Sequence, residues 1–158
     1  MQGTVQRVRE VLRESGSSEE IVELPAASPT AAETAEQLGC PVGAIASSLI
    51  FDVDGTPLLV VTSGAHRVDT RLLARLLGVG RGKIRRATPE FVLRATGQEV
   101  GGVAPIGHPQ SIRTLVDVAL DDYEQVWTGA GMPHSVFRTT YAELVKLTGG
   151  ESAVVAGT

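Results

Sequence analysis

The stretch TGQEVGGVAPIGH, Thr96 to His108, carries four glycines, one proline and a single formal charge, Glu99. Chemistry in such a stretch must come from the main chain. Glycine lets a ligand approach the backbone closely, and its N–H groups can point at an anion. Amides converging on one spot form an oxyanion hole for acyl chemistry. Gly101 and Gly102 are the candidates for that role, and Pro105 would stiffen the loop around them. The loop lacks G-x-G-x-x-G, and no Lys-Ser/Thr follows its glycines, so neither phosphate-loop pattern applies. Pro105 and Pro109 also keep a helix from starting directly after Gly101-Gly102. A second reading stays open, in which the glycines only permit a tight crossover beneath a sheet.

Side-chain chemistry has less to work with. The histidines are His66, His108 and His134, and Cys40 is the single cysteine. They show no metal-ligand spacing, so no metal and no cofactor are expected. No Ser-His-Asp or Cys-His arrangement is evident. A lone cysteine forms no internal disulfide, which suits a reducing cytoplasm. The opening residues MQGTVQRVRE hold charges and no apolar core, so no signal peptide is expected. No apolar run approaches the roughly 18 residues of a membrane span.

Charge is unevenly distributed. The net charge is −4, yet eight of the fourteen basic residues lie between Arg67 and Arg94. That window contains only Asp69 and Glu90 as acids, so it stands near +6 and the remainder near −10. It could hold a phosphate backbone, or it could be a solvated helix face followed by a basic turn.

The elements that position these residues follow from local signals. Val5, Val8, Val11 and Leu12 have helical spacing, and Gly16 closes that helix. IVEL (21–24) reads as a short strand. Thr30-x-x-Glu33 is a capping box for a helix closed by Gly39 and Pro41. IASSLIFDVDGTPLLVVTS reads as a hairpin about Asp54-Gly55. Asp69 caps a helix through Leu72, Leu73, Leu76 and Leu77, ended by Gly78. KIRRA is extended, and Thr88-Pro89 starts another helix. IRTLVDVAL and EQVWTGA read as strands around an Asp121-Asp122 turn, and HSVFRTT as a further strand. Thr140-x-x-Glu143 caps a last helix, after which a frayed tail is expected. The mixture predicts one α+β domain over residues 1–158, with a mixed, largely antiparallel, curled sheet surrounded by helices.

Four segments together carry a resemblance: TAAETAEQLGCPVGAIASSLIF, LLVVTSGAHRVDTRLLARLLG, ATPEFVLRATGQEVGGVAPIGH and VDVALDDYEQVWTGAGMPH. In this order they resemble the YbaK / prolyl-tRNA-synthetase-associated editing domain family. The most specific piece is T-G-x-x-x-G-G-V-x-P-x-G, Thr96 to Gly107, containing the family's G-x-x-x-P as Gly101 to Pro105. The resemblance implies a trans-acting aminoacyl-tRNA deacylase that hydrolyses the ester of a mischarged tRNA. In such domains the glycine loop engages the aminoacyl carbonyl, and the neighbouring ribose hydroxyl helps to activate water. The implied partners are the tRNA acceptor end and an aminoacyl-tRNA synthetase, without membrane or metal. Arg85 and Arg86 in the basic window would meet acceptor-stem phosphates.

One departure matters. The family pattern I-A-Lys-S-L appears here as Ile45-Ala46-Ser47-Ser48-Leu49, with Ser47 in the lysine position. Serine offers a short neutral hydroxyl where lysine offers a cation on a long stem. The chain is therefore either an enzyme retuned to another amino acid or a catalytically silent module that binds tRNA or a synthetase. Thr30, His108 and His134 complete the set implied at the substrate end. His66 reads as structural, Asp117 as a buried hydrogen-bonding carboxylate, and Trp127 and Phe137 as core.

Overall fold

Val5, Val8 and Leu12 fall along one side of α1 (Gln2–Glu14), and all three are buried. The computed structural model describes residues 2–17, 19–27 and 30–157. Four more helices begin and end as their sequence signals require. Thr30 accepts from Glu33 N to open α2 (Ala31–Leu38), and Asp69 accepts from Arg71 N to open α3 (Thr70–Leu77). Thr88 with Pro89 opens α4 (Pro89–Thr96), and Thr140 opens α5 (Tyr141–Thr148). Each of these four ends in a left-handed glycine: Gly39, Gly78, Gly97 or Gly149.

The strands are β1 (Ile21–Glu23), β2 (Ile45–Val53), β3 (Thr56–Ser63), β4 (Ile84–Arg86), β5 (Arg113–Asp117), β6 (Val126–Gly129), β7 (Ser135–Thr139) and β8 (Glu151–Ala153). They form one sheet in the order β1-β7-β6-β2-β3-β5-β8, with β4 also on β2. Four of its pairings are antiparallel and three parallel. The fold is α+β with a mixed, mostly antiparallel sheet. The β2–β3 hairpin turns at Asp54 and Gly55, with φ of 52° and 91°. Both central residues of this turn type need positive φ, which Asp-Gly supplies.

Two expectations are corrected. The segments on either side of Asp121-Asp122 are strands, but they are not neighbours. β5 pairs with β3 and β8, whereas β6 pairs with β2 and β7. Residues Val118–Asp122 form a 3-10 turn instead, started by the Asp117 side chain accepting from Ala119 N. The tail is not frayed. Glu151–Ala153 adds to the sheet beside β5, and Val155 is fully buried against the cluster of Phe51, Val60 and Leu73. Val155 O also accepts from Asp69 N at 2.8 Å. Apolar Val155 gains more from that burial than it would from solvent.

Strand alternation divides β2 between two cores. Ala46 and Ile50 face Leu59, Val61, Val92, Val126 and Leu144, under α4 and α5. Phe51 faces Leu58, Val60 and Leu73, under α3. A third cluster joins Val8 and Leu12 of α1 to Phe137 and to Ala104 and Ile106 of the glycine loop. Phe137 is thus core, as its alternation predicts.

Candidate active site

β3 pairs with β2 from Ala46 to Val53, but the other edge of β2 is shared. β6 meets it only at Ile45 and Ala46, and β4 only from Phe51 to Val53. Between them the edge of Ser47–Ile50 has no strand partner among the described residues. Ala87 N donates to Ile50 O and closes one end of the gap. A cavity of ≈ 320 Å³ occupies this split. Its walls are β2, Thr30, Ala31 and Thr34 from α2, Val100–Val103 of the glycine loop, Trp127–Gly129 of β6, and the following turn with Met132 and Pro133.

The glycine loop is pinned from beneath. Gln98 is buried, its Oε1 accepting from Ala104 N at 2.7 Å and its Nε2 donating to Ile106 O at 3.2 Å. His108 Nε2 donates to Ala104 O at 2.9 Å. Burial holds the His108 imidazole below its ordinary pKa, although the bond to Ala104 O acts the other way. With Ala104, Pro105 and Ile106 buried, the Val100–Gly102 side of the loop is left toward the cavity. The amides of Gly101 and Val103 make no hydrogen bond to a described residue.

The two central glycines do different things. Gly101 has φ +101°, with open space where a Cβ would stand. Gly102 does not have a positive φ. A Cβ there would stand 2.7 Å from Pro133 N, and closer still to the Met132 carbonyl carbon. Gly102 O accepts from Gly131 N at 2.9 Å. Gly102 therefore lets two loops lie backbone to backbone.

Of the residues singled out from sequence, Thr30, Ser47, Arg86, Gly101 and Gly102 line the cavity. Thr30 does so while capping α2. Arg86 lies over the Phe51 ring, 5.6 Å from its centroid. The other four stand off the wall. Pro105 is buried within the loop, and His108 lies behind it. His134 bonds Glu23 Oε2 at 3.0 Å, although Pro133 and Ser135 on either side line the cavity. Arg85 alternates away from Arg86 and sits 3.5 Å from Asp52. Trp127, read as core, is half-buried on the cavity wall.

Asp117 is a buried hub apart from this wall. Its Oδ2 accepts from Thr62 Oγ1 and Ser63 N and lies 2.9 Å from His66 Nδ1, while Oδ1 accepts from Ala119 N. Asp117 thereby joins β3 to the 3-10 turn. The wall itself carries no Asp, Glu, His, Cys or Lys among the described residues, and Arg86 is its one formal charge.

Two hydroxyls on the wall were missed from sequence. Ser48 Oγ and Thr128 Oγ1 are buried without a hydrogen-bond partner. The available signal was a second serine in the apolar run I-A-S-S-L-I. Alternation puts Ser48 on the core face with Ala46 and Ile50, where a polar atom needs a reason.

Comparison with known proteins agrees with this architecture. The family model described as Aminoacyl-tRNA editing domain matches residues 26–147. "Uncharacterized protein YwhH" of Bacillus subtilis (strain 168) is 31% identical over 126 residues, 79% of this chain and 78% of that protein. A proline–tRNA ligase of Geobacter sulfurreducens is 34% identical over 111 residues, covering 70% of this chain but only 19% of the ligase. The chain thus corresponds to about a fifth of that enzyme. A solved structure provisionally described as a trans-editing enzyme for prolyl tRNA synthetase superposes with a TM-score of 0.90 at 37% identity, covering 98% of both chains. The structure of hypothetical protein APE2540 gives 0.86 at 30% identity, over 96% of this chain and 99% of that one. With the G-x-x-x-P loop in place beside a split sheet, the chain belongs to the YbaK / prolyl-tRNA-synthetase-associated family of aminoacyl-tRNA editing domains.

Proposed function

We propose that this chain is a trans-acting aminoacyl-tRNA deacylase that removes the amino acid from a mischarged tRNA. The observation carrying this reading is a cavity walled by glycine-loop backbone and lacking, among the described residues, any Asp, Glu, His, Cys or Lys side chain that could act as a base or activate one of its hydroxyls. Hydrolysis there proceeds with water and the substrate's own groups. Water attacks the ester carbonyl carbon, the neighbouring ribose hydroxyl assists its deprotonation, and the developing oxyanion meets loop amides. The carbon–oxygen bond to the ribose then breaks. Its oxygen leaves with a proton, giving free amino acid and intact tRNA. Gly101 and Val103 offer amides without other partners, and the Gln98 and His108 bonds hold the loop in shape. Arg86 supplies positive charge for the terminal phosphate and ribose end.

A silent binding module is the second reading, and Ser47 in place of the family lysine favours it. A panel of mischarged tRNAs incubated with the purified protein decides between them. Deacylation of at least one member is expected. Salt-sensitive tRNA binding with no hydrolysis of any member, at protein excess, overturns the enzyme in favour of the module. Ser47→Lys adds a second arm, lowering activity in a retuned enzyme and restoring it in a silent one.

A further inference from the structure

Thr128 pairs with Ala46 across the parallel β2–β6 contact, and Ser48 follows two residues along β2 on the same face. Strand spacing and rise put their Cβ atoms about 8 Å apart on the diagonal. At that separation one small group could bridge two hydroxyls turned toward each other. Each hydroxyl is buried, and each lacks a partner. Buried polar atoms of folded proteins are nearly always satisfied, so such a pair on a cavity wall marks where a ligand supplies the missing bonds.

We infer that Ser48 Oγ and Thr128 Oγ1 form a subsite for the side-chain hydroxyl of a small amino acid esterified to tRNA. This deepens the deacylase reading and rests on it. The other polar group of an aminoacyl ester, its α-ammonium, fits poorly. No carboxylate lies on the wall among the described residues and Arg86 does, so a cation would be buried against neutral hydroxyls beside another cation. A neutral hydroxyl matches both partners, donating to one and accepting from the other. An alanyl group would leave both wall hydroxyls unsatisfied, which is the strong form of discrimination by a binding site.

The test compares seryl and alanyl esters on one tRNA body, together with their non-hydrolysable amide-linked adenosine analogues. Expected is a preference for the seryl ester of at least about tenfold in kcat/KM, matched by tighter binding of the seryl analogue. Ser48→Ala and Thr128→Val should erase most of that preference, lowering the seryl kcat/KM and raising the alanyl value toward it as the unsatisfied hydroxyls are removed. Neither variant should melt lower than the parent, because neither hydroxyl gives up a bond within the protein. Turnover without a seryl preference, or variants that slow both esters equally, overturns the subsite and leaves the deacylase standing. A seryl preference in binding without turnover does the reverse. Absence of both binding and turnover overturns both.

Discussion

Gln98 bridges Ala104 N and Ile106 O with one buried side chain, so a single amide holds two points of the glycine loop. Gln98→Ala strands a donor and an acceptor in the interior. The expected loss is about 2–4 kcal/mol of stability, read from urea unfolding, with deacylation falling as the loop loosens. His108 contributes a pH dependence. Its folded pKa lies below its ordinary 6.5 because burial disfavours the cation. The unfolded chain therefore takes up that proton first as pH falls. The contribution is fully present above about pH 6.5 and is lost as pH drops through the folded value. His108→Gln should flatten that part of the stability–pH curve while an amide can still donate to Ala104 O. The glycines and proline of this loop were legible in sequence as residue types, Gly101 through its own backbone conformation, whereas the approach of Met132 and Pro133 that requires Gly102 was not. Gln98, Ser48 and Thr128 were not. Their depth depends on which strand lies beside which, and residue type alone reads as surface.

Among the elements, caps and turns were readable and sheet neighbours were not. Thr30, Asp69, Thr88 and Thr140 announce helices within a few residues, and Asp54-Gly55 announces a hairpin. The pairings β2–β6, β3–β5 and β5–β8 join segments far apart in sequence, and no local signal encodes them. The tail misled for this reason, since β8 is three residues long and gains its place from β5 and from Val155 beyond it. Val155→Ala should cost about 2 kcal/mol, seen as a shift in urea midpoint without a change in slope. An unchanged midpoint would mean that the tail adds nothing to the core.

At the scale of the molecule, the basic window is partly neutralised. Arg71 pairs with Asp69, Lys83 with Asp54 and Arg85 with Asp52. Arg67, Arg75 and Arg81 have no acidic partner among the described residues, and Arg86 opens onto the cavity. The two adjacent arginines that looked equivalent in sequence are separated by strand alternation. Arg86→Ala should weaken tRNA binding and reduce the slope of log affinity against log salt by about one unit. Arg85→Ala, with its side chain 78% exposed beside Asp52, should change that slope less. Melting should move little in either case. Equal slopes for both variants would place the RNA on another face.

The shared edge of β2 also leaves an isotopic signature. Within a strand the amides alternate between its two edges. Ile45 O turns toward β3, where it accepts from Gly64 N, and Ile50 O turns the other way, to Ala87 N. By this alternation the Ser47 and Leu49 amides bond to β3, and the Ser48 amide looks into the gap. In deuterated water Ser48 should therefore exchange far faster than its two neighbours, an unprotected amide in the middle of a central strand. A bound aminoacyl end would slow it, giving a measure of occupancy that needs no turnover.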